Sequence, residues 1–325
     1  MRKIQDADFI SEKNYSEDME KIAEPYLAAH GGGGFFNSAD GKKLHYEKYL
    51  CENACGGVVI AHGFSESAAK FREMSYYFLK MGLNVFAIDH RGHSLSYRHT
   101  EEEQIVHIKS FSQYVSDLQA FVKQVAKPEN AGFPLFLFSH SMGGAVSVQY
   151  LQTYKGDFSR AVLSAPMIAP KTAGVPAFLT QALSRSFILL GKEKKKVFVY
   201  KGFNPDRSYE NSHDTSKARF DYYQKKRVSD HVLQTCAPSY RWVNEAVRVA
   251  KLNLDLRRCA KIKIPVLICQ PEEDSAVVSA KEDEFVKLIP DGRLEKFTGC
   301  RHEIYMSSDE TLRKYLDVIY EFLNA

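Results

Sequence analysis

Phe136-Leu137-Phe138-Ser139-His140-Ser141-Met142-Gly143-Gly144-Ala145-Val146 is the stretch on which the fold turns. The apolar run Pro134–Phe138 does not alternate with polar residues, as expected of a strand buried on both faces. A small-residue helix is expected from about Gly143. Ser141 then occupies the tight turn between them, with its hydroxyl lifted above the sheet at the positive end of the helix. The common spacing is Gly-x-Ser-x-Gly, and Ser139 stands where the first glycine would be. Taken alone, such a serine also fits a plain helix cap.

Working outward, similar short apolar runs occur at Gly57–Ala61, Asn84–Ile88, Ala161–Leu163 and Pro265–Cys269, with a further strand expected at Arg293–Phe297. Amphipathic stretches with helical spacing lie at Phe111–Val125 and Thr311–Leu323. Alternation of this kind predicts an α/β protein with a mostly parallel central sheet and helices on both faces. Residues 1–30 are expected to form a polar helical extension, set apart from the rest by the glycine run Gly31–Gly34. Residues 31–168 and 241–325 are assigned to the core. Residues 169–240 contain no clear buried strand, many aromatics and the basic run Lys192–Lys196, and are assigned to an inserted helical cap.

The chain has 325 residues, 44% hydrophobic and 26% charged, with a net charge of +4. That composition supports a large core and excludes global disorder. The near balance of charge argues against a nucleic-acid partner. The charged N-terminus lacks a signal-peptide apolar region, and the six scattered cysteines suit free thiols. A cytoplasmic protein, peripheral at a membrane at most, is expected. Cys51 and Cys55 lack a second Cys/His pair at metal-site spacing, so no metal or cofactor is expected.

A serine hydroxyl becomes nucleophilic only beside a base, which in turn needs an orienting carboxylate. In sheets of this kind the chain order is serine, acid, histidine. Asp274 follows the Pro265–Cys269 run, and His302 follows Arg293–Phe297, giving that order after Ser141. Glu272 and Glu273 are competitors for the acid position. The oxyanion donors are expected at the Met142 N–H and, in Ala61-His62-Gly63-Phe64-Ser65, at the Phe64 N–H. Asp89-His90-Arg91-Gly92-His93-Ser94 is expected to be architectural. Cys300, two residues before His302, is expected to make activity sensitive to oxidation.

The segments His62-Gly63-Phe64, Asp89–His93, Ser139–Gly144, Pro265–Leu267 with Asp274, and His302-Glu303 together resemble the α/β-hydrolase fold. More narrowly, the chain resembles the lysophospholipase and monoacylglycerol lipase branch of the serine-aminopeptidase-type (S33) hydrolases. The resemblance runs from about residue 35 to the C-terminus and is weakest in the cap. It implies Ser141 as nucleophile, His302 as base, Asp274 as orienting acid, and a lipid or other small-molecule ester as substrate. Ser139 and Ser94 depart from family glycines. Transient contact of the cap with a membrane surface is expected from its apolar and lysine-rich stretches. The alternatives are a short-chain or aromatic-acyl esterase, a peptidase of the same fold, and a non-catalytic binding protein on this scaffold.

Overall fold

The computed structural model describes residues 1–130 and 132–325. Eight strands form the central sheet: β1 (Gly31–Asn37), β2 (Lys43–Tyr49), β3 (Gly56–Ala61), β4 (Leu83–Ile88), β5 (Leu135–His140), β6 (Arg160–Ser164), β7 (Val266–Pro271) and β8 (Gly292–Phe297). Their order is β1-β2-β4-β3-β5-β6-β7-β8. β1 and β2 are antiparallel to their neighbours, and every other pairing is parallel.

Strands β3, β4, β5 and β7 are buried at every position because the sheet is covered twice. Val59, Phe86, Leu137 and Leu163 enter one core with helix α2 (Ser112–Phe121), α3 (Met142–Thr153) and α6 (Tyr240–Asn253). Val58, Val85, Phe138 and Val162, one residue out of phase, enter the other with α1 (Arg72–Lys80) and α7 (Asp309–Asn324). The period of two along each strand deals successive side chains to opposite faces. Each large apolar side chain buried this way contributes roughly 1.5–3 kcal/mol.

The glycine run is a correction to the sequence reading. Gly31–Gly34 do not separate two parts; they lie within β1 and pair along β2. Side chains of β2 fold across them. A Cβ on Gly33 would fall 2.7 Å from His45 Nε2, and one on Gly34 2.7 Å from the Tyr46 hydroxyl oxygen. Upstream, helical turns run from Tyr15 to His30, including a π-helical turn at Met19–Ala23. Phe9 and Ile10 ahead of these turns, and Tyr15, Met19 and Leu27 within them, are buried in the second core.

Between β6 and α6 the chain forms α4 (Ala177–Leu189) and α5 (Lys217–Ser229). α4 leans on α6, with Phe187 stacked on Tyr240 at 4.0 Å between ring centroids. α5 is fastened to the core by Arg219, whose fully buried guanidinium donates to Glu73, Asp309 and the Ile10 and Ser307 carbonyls. No helix among the described residues is long and apolar enough to cross a membrane.

Candidate active site

The parallel strands all run toward one sheet edge, so their C-terminal loops converge there. β5 continues through Ser139 and His140, two residues beyond the expected end, and α3 begins directly at Met142. Ser141 alone makes the turn, at φ +50° and ψ −115°. A non-glycine residue in this region costs on the order of 1–3 kcal/mol, a strain typical of functional sites. The surroundings hold it there. The Ser141 N–H donates to the Ser164 carbonyl at 3.1 Å, and the Ser141 carbonyl accepts from Met167 at 2.8 Å.

Small residues around the turn are dictated by close approach. A Cβ on Gly143 would sit 2.0 Å from the Ala61 carbonyl oxygen, and one on Gly144 2.5 Å from Pro166 Cβ. Ser139 needs no unusual φ, because it stays in the strand opposite Ala61 and Leu163. The position calls for a small side chain, and serine satisfies that. At Ser94 the backbone does enter the left-handed region, at φ +45°, where a glycine would be free of strain.

Ser141, His302 and Asp274, remote in sequence, meet at this edge. Ser141 Oγ lies 2.8 Å from His302 Nε2, and His302 Nδ1 lies 2.6 Å from Asp274 Oδ2. Asp274 Oδ1 accepts from the Ala276 and Val277 N–H groups at 2.7 and 2.8 Å. Burial pushes the Asp274 carboxyl up, but the His302 bond and the two N–H donors outweigh this and hold it below the ordinary carboxylate range. An ionised carboxylate can only accept, so His302 Nδ1 carries the hydrogen. Nε2 is then the acceptor for the serine proton. Glu272 and Glu273, the competing acids, are exposed; Glu272 accepts from the Gly299 N–H.

The two backbone donors named from the sequence also border Ser141. Met142 opens α3, so its N–H is a free first-turn donor. A Cβ on Gly63 would lie 3.1 Å from Ser141 Cβ, which brings the His62–Phe64 turn against the serine. Among the described residues, neither the Phe64 nor the Met142 N–H has a hydrogen-bond partner.

Some neighbours escaped the sequence reading. His213, from the 169–240 segment, packs edge-on to His302 at 5.6 Å and meets Ser275 Oγ through Nδ1 at 3.0 Å. Glu66 and His140 lie beneath the site. No spacing flags any of them, because each is recruited by a contact distant in sequence. The Asp89–Ser94 segment braces the fold: Arg91 is buried against Asp117 at 2.6 Å and Asp40 at 3.0 Å. The oxidation expectation for Cys300 is corrected. Burial pushes its thiol up to about 11, so little reactive thiolate forms near neutral pH.

Buried histidines give the fold a pH dependence of known sign. Burial pushes His99, His107 and His213 down to about 4, and lowers His62, His90 and His93 as well. Unfolded histidines protonate near pH 6.5. Between about 6.5 and about 4 the unfolded chain therefore binds protons that the folded chain does not. Stability falls on acidification, by at most about 1.4 kcal/mol per pH unit for each such histidine. His140, Asp117 and Asp214, which are raised, and Glu282, raised to about 8, oppose this: their contributions are present at low pH and lost as pH rises through their folded values. The lowered histidines outnumber them, so the urea midpoint is expected to drop from pH 7 to pH 5. A flat or rising midpoint would contradict this balance.

A parallel-rich sheet, a strained serine at a strand-to-helix turn, and a histidine and acid from later loops define an α/β-hydrolase. Residues 52–309 match the model of the serine aminopeptidase S33 family, and the chain belongs to that family. It is accordingly an enzyme, a carboxylic ester hydrolase like the lipases and lysophospholipases it resembles. It is 26% identical over 305 residues to lysophospholipase L2 of Escherichia coli K12, covering 89% of this chain and 86% of that one. It is 25% identical over 266 residues to the monoglyceride lipase of Rattus norvegicus, covering 81% and 80%. In fold it is similar to a soluble variant of monoglyceride lipase from Saccharomyces cerevisiae, solved with a substrate analogue. There the TM-score is 0.74 at 20% identity, over 90% of this chain and 94% of that one.

Proposed function

We propose that this chain hydrolyses fatty-acyl esters of the monoacylglycerol or lysophospholipid type through a covalent acyl-enzyme. The observation that carries the proposal is the hydrogen-bonded array Ser141 Oγ–His302 Nε2, 2.8 Å, and His302 Nδ1–Asp274 Oδ2, 2.6 Å. Ser141 attacks the ester carbonyl while His302 takes its proton. Asp274 keeps the imidazole in the required tautomer and stabilises the imidazolium. The Phe64 and Met142 N–H groups receive the tetrahedral oxyanion. The carbonyl re-forms as the alcohol leaves with the proton from His302. Water, deprotonated by the same imidazole, then releases the fatty acid.

The substrate class is supported by the names of the relatives, lysophospholipase and monoglyceride lipase. Residues 169–240 are read as the cap over a core of 31–168 and 241–325, with 1–30 as an extension packed on that core. On α4 and beyond it Phe178, Leu189, Leu190 and Phe198 are 68–88% exposed, beside Lys192 and Lys194–Lys196. An apolar patch rimmed by cations supports transient contact with a lipid surface. The six free cysteines support a reducing, cytoplasmic setting.

The test is chain-length profiling with p-nitrophenyl esters, alongside fluorophosphonate labelling of the wild type. Higher kcat/KM for decanoyl than for acetyl ester is expected. Preference for acetyl would favour a short-chain esterase, and absence of labelling in folded protein would favour a binding protein.

A further inference from the structure

Beneath the proposed triad lies a buried acid that contacts the Phe64 turn, the Ser141 turn and the loop of His302. Glu66, only 5% exposed, follows the Phe64 turn. Its Oε2 accepts from the Gly63 N–H at 2.5 Å and from His140 Nδ1 at 3.0 Å. Its Oε1 accepts from the Tyr305 hydroxyl at 2.5 Å and from Lys70 Nζ at 3.2 Å. Gly63 immediately precedes Phe64, His140 immediately precedes Ser141, and Tyr305 lies in the loop of His302. His140 uses its other ring nitrogen as well: Nε2 meets the His302 carbonyl oxygen at 3.3 Å.

Each bond acts on something the reaction needs. His62 Nε2 accepts from the His90 N–H at 3.0 Å, so its Nδ1 carries the hydrogen and donates to the Gly63 carbonyl at 2.7 Å. Both polar groups of Gly63 are thereby held, its N–H by Glu66 and its C=O by His62. Across a trans peptide the C=O and the following N–H point in opposite directions. Clamping the Gly63 carbonyl therefore aims the Phe64 N–H away from His62. On the other side, His140 grips the backbone of His302 itself, with the two rings 4.8 Å apart.

We propose that Glu66 and His140 are positioning residues, an ion pair that holds the oxyanion N–H, the nucleophile turn and the base in mutual register. This rests on the reading of Ser141, His302 and Asp274 as the catalytic triad. For the pair to grip both Glu66 and the His302 carbonyl, His140 must be an imidazolium donating from both nitrogens. Burial opposes the charge on each partner, but the Glu66 charge and hydrogen bond hold the His140 proton on. The charges of His140 and Lys70 keep Glu66 ionised. The groups facing the pair are Lys70, which also binds Glu303 at 2.5 Å, and Tyr305 and His302. Glu303 is kept ionised by Lys70, so the buried charges alternate in sign.

The test compares wild type, Glu66→Gln, His140→Gln and the double variant, first by fluorophosphonate labelling and then by steady-state kinetics on a p-nitrophenyl ester. Each single variant is expected to lose about 10–100-fold in kcat with KM within about twofold, since misplacement of the order of an ångström costs that much. The double variant is expected to be no more than about threefold worse than the weaker single, because both break one array. Nitrogen-15 histidine spectra should show His140 holding its proton to higher pH in wild type than in Glu66→Gln. Should Glu66→Gln fail to fold, His140→Gln carries the kinetic test. Wild-type labelling with kcat of folded variants within twofold overturns the register role and leaves the triad reading intact. So do multiplicative losses in the double variant, or a His140 that holds its proton no better in wild type than in Glu66→Gln. An unlabelled wild type overturns the triad reading, and this role with it.

Discussion

Ser141→Ala is expected to abolish fluorophosphonate labelling and to lower kcat on a long-chain p-nitrophenyl ester by at least about 10⁴-fold, with KM little changed. The only hydrogen bond that Ser141 Oγ makes among the described residues is to His302 Nε2. Removing that oxygen removes the proposed nucleophile and little else. The Ser141 backbone bonds to Ser164 and Met167 remain, so the turn and the fold should persist. His302→Ala should fall to a similar level, because an unassisted hydroxyl is a poor nucleophile at neutral pH. The double variant should be no slower than the slower single, since the residues act as a unit. Residual turnover well above the buffer rate is expected from the Phe64 and Met142 donors. A Ser141→Ala protein that keeps a tenth of wild-type kcat would show that another group attacks the ester.

Arg219→Ala is expected to give the largest stability loss, about 3–5 kcal/mol, read as a drop in Tm of roughly 5–10 °C. Its guanidinium is buried and, besides nearby Ser216, serves four partners from three remote parts of the chain: the Ile10 carbonyl, Glu73, and Ser307 with Asp309. Glu73 also accepts from the Tyr15 and Tyr77 hydroxyls at 2.9 Å. Truncation strands Glu73 in the core without its cation, which costs more than the pair itself contributes. The N-terminal stretch and α5 should loosen together, giving early proteolytic cleavage before residue 30. Arg219→Met with Glu73→Gln removes both charges and should recover much of the loss. A Tm shift under about 2 °C for Arg219→Ala would mean that water replaces the lost partner at little cost.

Legibility in the sequence followed the range of the interactions. The turn at Ser141 was readable because its requirements are local: a buried strand, one strained residue and small neighbours. The inner strands were readable because double coverage gives runs of apolar residues that do not alternate with polar ones. β1 was missed because glycine carries no pattern, and its pairing depends on what β2 folds over it. Ser139 looked like a defect in a motif until its extended backbone showed that volume, rather than φ, is the constraint there. Cys300 looked exposed to chemistry because it is near His302 in sequence, whereas burial removes its reactivity.

Linear order and residue type were therefore enough to name a serine, an acid and a histidine, and to infer a sheet whose loops would gather them. Those properties follow from strand and turn preferences acting over a few residues. Which acid among Glu272, Glu273 and Asp274 faces the imidazole, that Glu66 and His140 lie under it as a hydrogen-bonded pair, and that Arg219 binds residues 88 to 209 positions away were settled by packing. Desolvation and hydrogen-bond direction belong to the assembled core, because each depends on atoms that short-range preferences do not specify.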